Sequence, residues 1–200
     1  MPEQDERRVS RRAVAIAAWT VPAAGIVASA PLAAASAPCP VIAWTSWVRG
    51  ANAYAMGGQD AINSTQISWA TENNTANGSG LEASVTYTAT VSVVAGTTYT
   101  FGYQARGGYG NNNVNSASVA YLILRVNGTA LRTLTTRAAD APGTQLALYA
   151  WSPYSDAWTA TSTGSVAVSF DFRVPARPTN PAITATDDIW VTLPTITCAP

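Results

Sequence analysis

Asp187 and Asp188, the cysteines Cys39 and Cys198, and a few aromatic rings set beside loops are the side chains through which this chain could do chemistry. The repertoire is narrow, because there is no histidine and there are only two cysteines. Without imidazole, Ser-His-Asp and Cys-His relays are excluded and the commonest metal ligand is missing. Two widely separated cysteines supply neither a four-thiolate zinc site nor a redox Cys-x-x-Cys pair. Glycoside hydrolysis needs two carboxylates a few ångströms apart, one with a raised pKa. Adjacent Asp187 and Asp188 would face opposite sides of a strand, and Glu72, Glu82 and Asp171 are scattered without a motif. These residues point away from an enzyme.

Binding is the chemistry that is left. Asp187 shares the parity of Ile189 and Val191, so its carboxylate starts on the inward side of a strand, where it needs a cation or several N–H donors. Calcium, the one cofactor the sequence suggests, and a hydrogen-bonded strand-end cap both satisfy that need. Tyr109 lies in an Asn-rich stretch, and Trp151 and Tyr154 flank Ser152-Pro153. Rings in such places can stack on the apolar C–H faces of a sugar or can fill a core. Trp44, Trp47, Trp69, Trp158 and Trp190 are read as packing residues. The sequons at Asn63, Asn73, Asn77 and Asn127 are read as turns. Leu193-Pro194-Thr195-Ile196-Thr197 lacks the glycine and following tail of a sortase signal.

The elements that position these groups begin with a leader. Residues 1–35 carry Arg7, Arg8, Arg11 and Arg12, an apolar run from Ala13 to Ala30, and Ala33-Ala34-Ala35 before Ser36, the order of a cleaved signal peptide. Ser10-Arg11-Arg12-Ala13-Val14 resembles the twin-arginine signal read by its export machinery. General secretion and an uncleaved membrane anchor are the alternatives. Residues 36–200 then suffice for one domain. From Ser36 on, seven arginines stand against eight acids, a formal charge of −1. That balance offers no footprint for nucleic acid or, once the leader is gone, for a membrane surface. In an exported protein the default for Cys39 and Cys198 is a disulfide, here stapling the first and last strands.

Alternation dominates the rest. Val85, Tyr87, Ala89, Val91 and Val93 share one face of a half-buried strand, and Tyr99, Phe101, Tyr103 and Ala105 repeat the pattern after Ala95-Gly96. The two runs read as a hairpin. Ser118–Val126 is apolar on both faces, as a central strand is, and Asn127-Gly128 turns the chain tightly. Strands are also expected over Cys39–Val48, Gln66–Ala70, Gln145–Trp151, Trp158–Thr163 and Val166–Val174, with a last one through Ile189, Val191 and Leu193. Loops are expected over Thr71–Gly80, Arg106–Asn115 and Pro175–Pro181. The reading is all-β: a single antiparallel β-sandwich, a jelly roll, preceded by an N-terminal signal segment.

Several short stretches carry a resemblance in their order: Thr88-Ala89-Thr90-Val91, Ala95-Gly96-Thr97-Thr98-Tyr99-Thr100-Phe101, Leu124-Arg125-Val126-Asn127-Gly128, Trp158 through Gly164, and Asp187-Asp188-Ile189-Trp190-Val191. Over residues 83–193 the chain resembles exported bacterial jelly-roll domains of the galactose-binding and carbohydrate-binding-module type. Those domains usually open with a strand carrying Asn-Gly and Phe-Glu, and Cys39-Pro40-Val41-Ile42-Ala43-Trp44 stands in that place here. An acidic residue in that opening strand often helps to hold calcium, so its absence weighs against the metal. The resemblance implies a secreted, extracellular or cell-envelope domain, non-enzymatic, that binds a glycan or another envelope component. The alternative is a structural or adhesive surface protein assembling through its β-edges. A stripe of coplanar Tyr and Trp would argue for sugar, and an uncovered flat edge strand for assembly.

Overall fold

Alternating apolar residues force strands whose buried faces must meet, and the chain answers with two sheets laid face to face. The computed structural model describes residues 39–51, 58–71, 82–109, 119–136, 143–174 and 187–199, all within the compact unit Pro38–Pro200. A single 3₁₀ turn (Trp44–Ser46) precedes β1 (Val48–Arg49), β2 (Gly58–Ile62), β3 (Gln66–Thr71), β4 (Ala83–Val93), β5 (Thr98–Tyr109) and β6 (Tyr121–Val126). There follow β7 (Thr129–Thr135), β8 (Thr144–Gln145), β9 (Ser152–Thr159), β10 (Gly164–Val174), β11 (Asp187–Thr192) and β12 (Thr195–Ala199). Sheet A runs β1-β4-β10-β6-β7-β8, and sheet B runs β12-β5-β11-β3-β2 with β9 on the other side of β5.

The core lies between the sheets. Phe170 and Phe172 of β10, both fully buried, meet Tyr103 at 5.4 Å and Trp69 at 5.9 Å from the opposite layer. Truncating a ring so enclosed costs about 3–5 kcal/mol. The alternation in β4 and β10 appears as expected, every second residue buried. β6 is interior, between β10 and β7, and Asn127 (φ 49°) and Gly128 (φ 79°) supply the two positive φ angles of a two-residue hairpin into β7.

β4 and β5 are not a hairpin. They lie in opposite sheets, and the Ala95-Gly96 turn is an arch between layers. A second arch, β9 to β10, crosses beside it, and the two are joined by Gly96 N–H to Ala160 O (2.8 Å) and Ala160 N–H to Thr97 O (3.0 Å). The apolar faces of β4 and β5 oppose each other across the core, an arrangement that alternation alone does not distinguish from pairing side by side.

Other elements shift for local reasons. Cys39–Val48 is a strand only at its end, in β1, after the 3₁₀ turn. Gln145–Trp151 keeps only the last residue of β8, and the strand expected at Trp158–Thr163 starts earlier, as β9. Pro153 lies within β9, which pairs with β5 alone among the described strands, and an edge tolerates a missing N–H. β5 runs through Arg106 to Tyr109, a stretch expected to be loop. Pairing is antiparallel except for the two-residue β7–β8 ladder and a parallel bridge from Gly107 to Leu148.

The last strand is β12, beyond Leu193-Pro194. Between Ala105 and Gly102, β5 advances three residues while its neighbour advances four, from Val191 to Thr195. β11 and β12 therefore act as one strand along β5, broken by a one-residue bulge at a proline that could not have donated to the ladder. The extra residue reverses parity: Val191 faces the core, and beyond the bulge so do Ile196 and Cys198. Cys198 is bridged to Cys39, their Cα atoms 5.7 Å apart. The expected staple forms, with Cys198 in the last strand and Cys39 just ahead of the 3₁₀ turn and β1. It ties the segment leading toward β1 of sheet A to the closing strand of sheet B.

Both open sides of the sandwich are closed by the same trio of side chains. On one, Asp60 of β2 accepts from Arg49 of β1 (Nη2 to Oδ1, 2.7 Å) and from the Tyr87 hydroxyl of β4. On the other, Asp156 of β9 accepts from Arg132 of β7 (Nε to Oδ1, 2.8 Å) and from the Tyr103 hydroxyl of β5 (2.9 Å). In each, an arginine from sheet A meets a largely buried carboxylate from sheet B.

Candidate functional site

The outer face of sheet B carries the arrangement of most interest. Along β9 the odd-numbered residues point outward, and along β5 and β11 the even-numbered ones do. That parity sets Trp151, Arg106 and Trp190 in a row across three adjacent chain segments. The Arg106 guanidinium lies 5.0 Å from the ring centroid of Trp151 and 4.6 Å from that of Trp190. Each such contact stabilises by about 0.5–2 kcal/mol, more where water is excluded. Trp190 is the register partner of Arg106. Its indole lies over Gly108, where an added Cβ would sit 2.7 Å from ring atom Cζ3. Glycine at 108 thus gives the ring its bed.

Trp151 is 36% exposed and Tyr149, held at φ 63°, is 49% exposed. The Nε of Arg106 is buried and has no hydrogen-bond partner among the described residues. No carboxylate among the described residues pairs with it either, whereas Arg49, Arg125, Arg132 and Arg173 each hold one.

Of the residues singled out from sequence, Trp151 is on this face and Tyr154 is not. Tyr154 turns inward, stacked on Tyr103 at 5.6 Å with the Arg132 guanidinium 5.6 Å from its ring. Burial pushes its phenol pKa up, against a smaller lowering by Arg132. Tyr109 and Asp187, chosen from separate stretches, are backbone register partners at one end of the β5–β11 ladder. Their side chains lie outside the described residues, as do Arg11 and Arg12 of the leader. Among the described residues no cluster of three or more His, Cys, Asp or Glu could hold a metal, and the calcium expectation at Asp187 falls outside them. Arg106 and Trp190 were missed. The Arg106-Gly107-Gly108 run reads as loop, and no spacing rule shows that a strand there meets Trp190.

An open groove of about 660 Å³ lies on the outer face of sheet A, lined in part by Glu82, Tyr121, Ile123, Leu131, Thr133 and Arg173. Its charged groups already pair, Arg173 Nη2 to Glu82 Oε1 at 2.6 Å. It lacks an exposed indole and an unpaired cation, so sheet B is the stronger candidate.

No family model and no curated protein matches the sequence. Among solved structures, the C-terminal domain of EclA, a sugar-binding protein, is 15% identical at TM-score 0.35, over 55% of this chain and 64% of that one. The adhesin domain of Epf from Streptococcus pyogenes is 10% identical at TM-score 0.43, over 70% of this chain and 46% of that one. A CBM4 structure is 12% identical at TM-score 0.36, over 72% of this chain and 79% of that one. The chain thus spans less than two thirds of the first two. Such distant likenesses say nothing of the ligand. Among the described residues no helix is long and apolar enough to cross a membrane.

Proposed function

We propose that the chain is exported through the leader at residues 1–35 and that its β-sandwich binds glycan outside the cell or in its envelope, without catalysing a reaction. The observation that carries this reading is the exposed Trp151 indole, held in place from behind by Arg106 and Trp190. A sugar's apolar C–H face gains most from a ring that is already ordered, since little side-chain freedom is lost on binding. Asp60, Asp156, Asp171 and Glu82 are each tied to an arginine, which commits these carboxylates to holding strands together. The rival reading, assembly through β-edges, has less to build on. β1 and β8 have two residues each, and β9 carries Pro153.

A pull-down on insoluble cell-wall and plant polysaccharides tests the proposal. Retention by at least one polymer is expected, with Trp151→Ala weakening it about tenfold. Unchanged retention of the variant would move the site off this face. Concentration-dependent self-association without retention on any polymer would favour the adhesive reading. An intact mass beginning at residue 1 or 2 in secreted material would refute cleavage of the leader.

A further inference from the structure

The described arginines of the sandwich are unequally served. Four hold carboxylates of their own, while Arg106 is held by two indoles, with Nε buried and no acceptor among the described residues. Stacking leaves the planar group oriented and partly stripped of water, yet supplies no hydrogen-bond acceptor. The terminal nitrogens are the part of the group left to meet an acceptor. Two parallel N–H donors on a rigid plane match a carboxylate bidentately, a fit that a neutral hydroxyl cannot reproduce.

We propose that the Trp151–Arg106–Trp190 stack recognises a carboxylate-bearing sugar, a uronic acid, with Trp151 taking the ring face and Arg106 the acid group. This rests on the glycan reading above and sharpens it. The preference is local, because the formal charge of −1 from Ser36 onward gives anions no general attraction. It also favours a single carboxylate over a densely charged polymer. Among the described residues this face offers one cation, Arg106, and Asp188, with an interaction of its own, shares the outer face of β11.

Binding of the full chain to polygalacturonate, to the same polymer after carboxyl reduction to a neutral galactan, and to dextran sulfate tests this directly. Polygalacturonate is expected to bind about tenfold more tightly than its reduced form, the difference shrinking as salt is raised. Arg106→Gln should abolish that difference, and Trp151→Ala should weaken binding to both galactans. Equal binding of the two galactans by the unaltered chain would overturn the proposal and leave the glycan reading standing. Tighter binding to dextran sulfate would also overturn it, in favour of bulk charge. No retention on any polymer, neutral or acidic, would overturn both. The comparison of polymers needs no variant, so a misfolded Arg106→Gln could not mask the result.

Discussion

Tyr103 places its hydroxyl where a proton is hard to remove. The side chain is buried and donates to the Asp156 carboxylate. Burial foremost, then the negative charge of Asp156, raises its pKa far above the ordinary phenol value, with Arg132 opposing only in part. In the unfolded chain the phenol ionises near its ordinary value, so rising pH draws a proton from the unfolded state before the folded one. Stability from this group is complete below about pH 10 and falls as pH rises beyond it. Urea unfolding midpoints should therefore drop between pH 9 and pH 11, less steeply in Tyr103→Phe. That variant should also lose about 1 kcal/mol at neutral pH with the hydrogen bond. Equal slopes for the two proteins would show that Tyr103 ionises freely in the fold. At this scale sequence patterning singled out Trp151 but passed over Arg106. The importance of Arg106 comes from two rings placed 45 and 84 positions further along the chain.

Among the elements, the bulge at Leu193-Pro194 does the most with the least. It turns the chain's last strand by one residue, so that Cys198, which shares the even parity of outward-facing Trp190, faces inward toward Cys39. Inserting one alanine between Thr197 and Cys198 leaves the bulge in place and carries the cysteine one position on, to the outer face. The expected outcome is two titratable thiols per chain under denaturing conditions without reductant, against none for the unaltered protein. A disulfide that still forms would show that the terminal segment chooses its own register. The strands themselves were largely legible where the period was clean, as in β4, β6 and β10. They were least legible where an edge strand carried proline and a buried aspartate, as β9 does with Pro153 and Asp156. Those two residues break the apolar alternation that a sequence reading follows.

For the whole molecule, the two Arg–Asp–Tyr closures and the Cys39–Cys198 bridge tie the layers together beyond their shared core. The bridge spans 159 positions, and closing a loop of that size stabilises by about 5 kcal/mol in the chain-entropy model. Reduction should lower the denaturant midpoint clearly, and a Cys39→Ser/Cys198→Ser variant should match the reduced protein. An unmoved midpoint would mean that strand pairing alone holds the ends. Composition excluded histidine-based catalysis, and local periodicity established an all-β chain with its principal strands, because both are properties of neighbouring residues. Which strand joined which sheet, which side of β12 met Cys39, and which cation lay between Trp151 and Trp190 were decided only in three dimensions. Those choices depend on contacts between distant segments, and alternation with a period of two is satisfied equally by a hairpin and by an arch between layers.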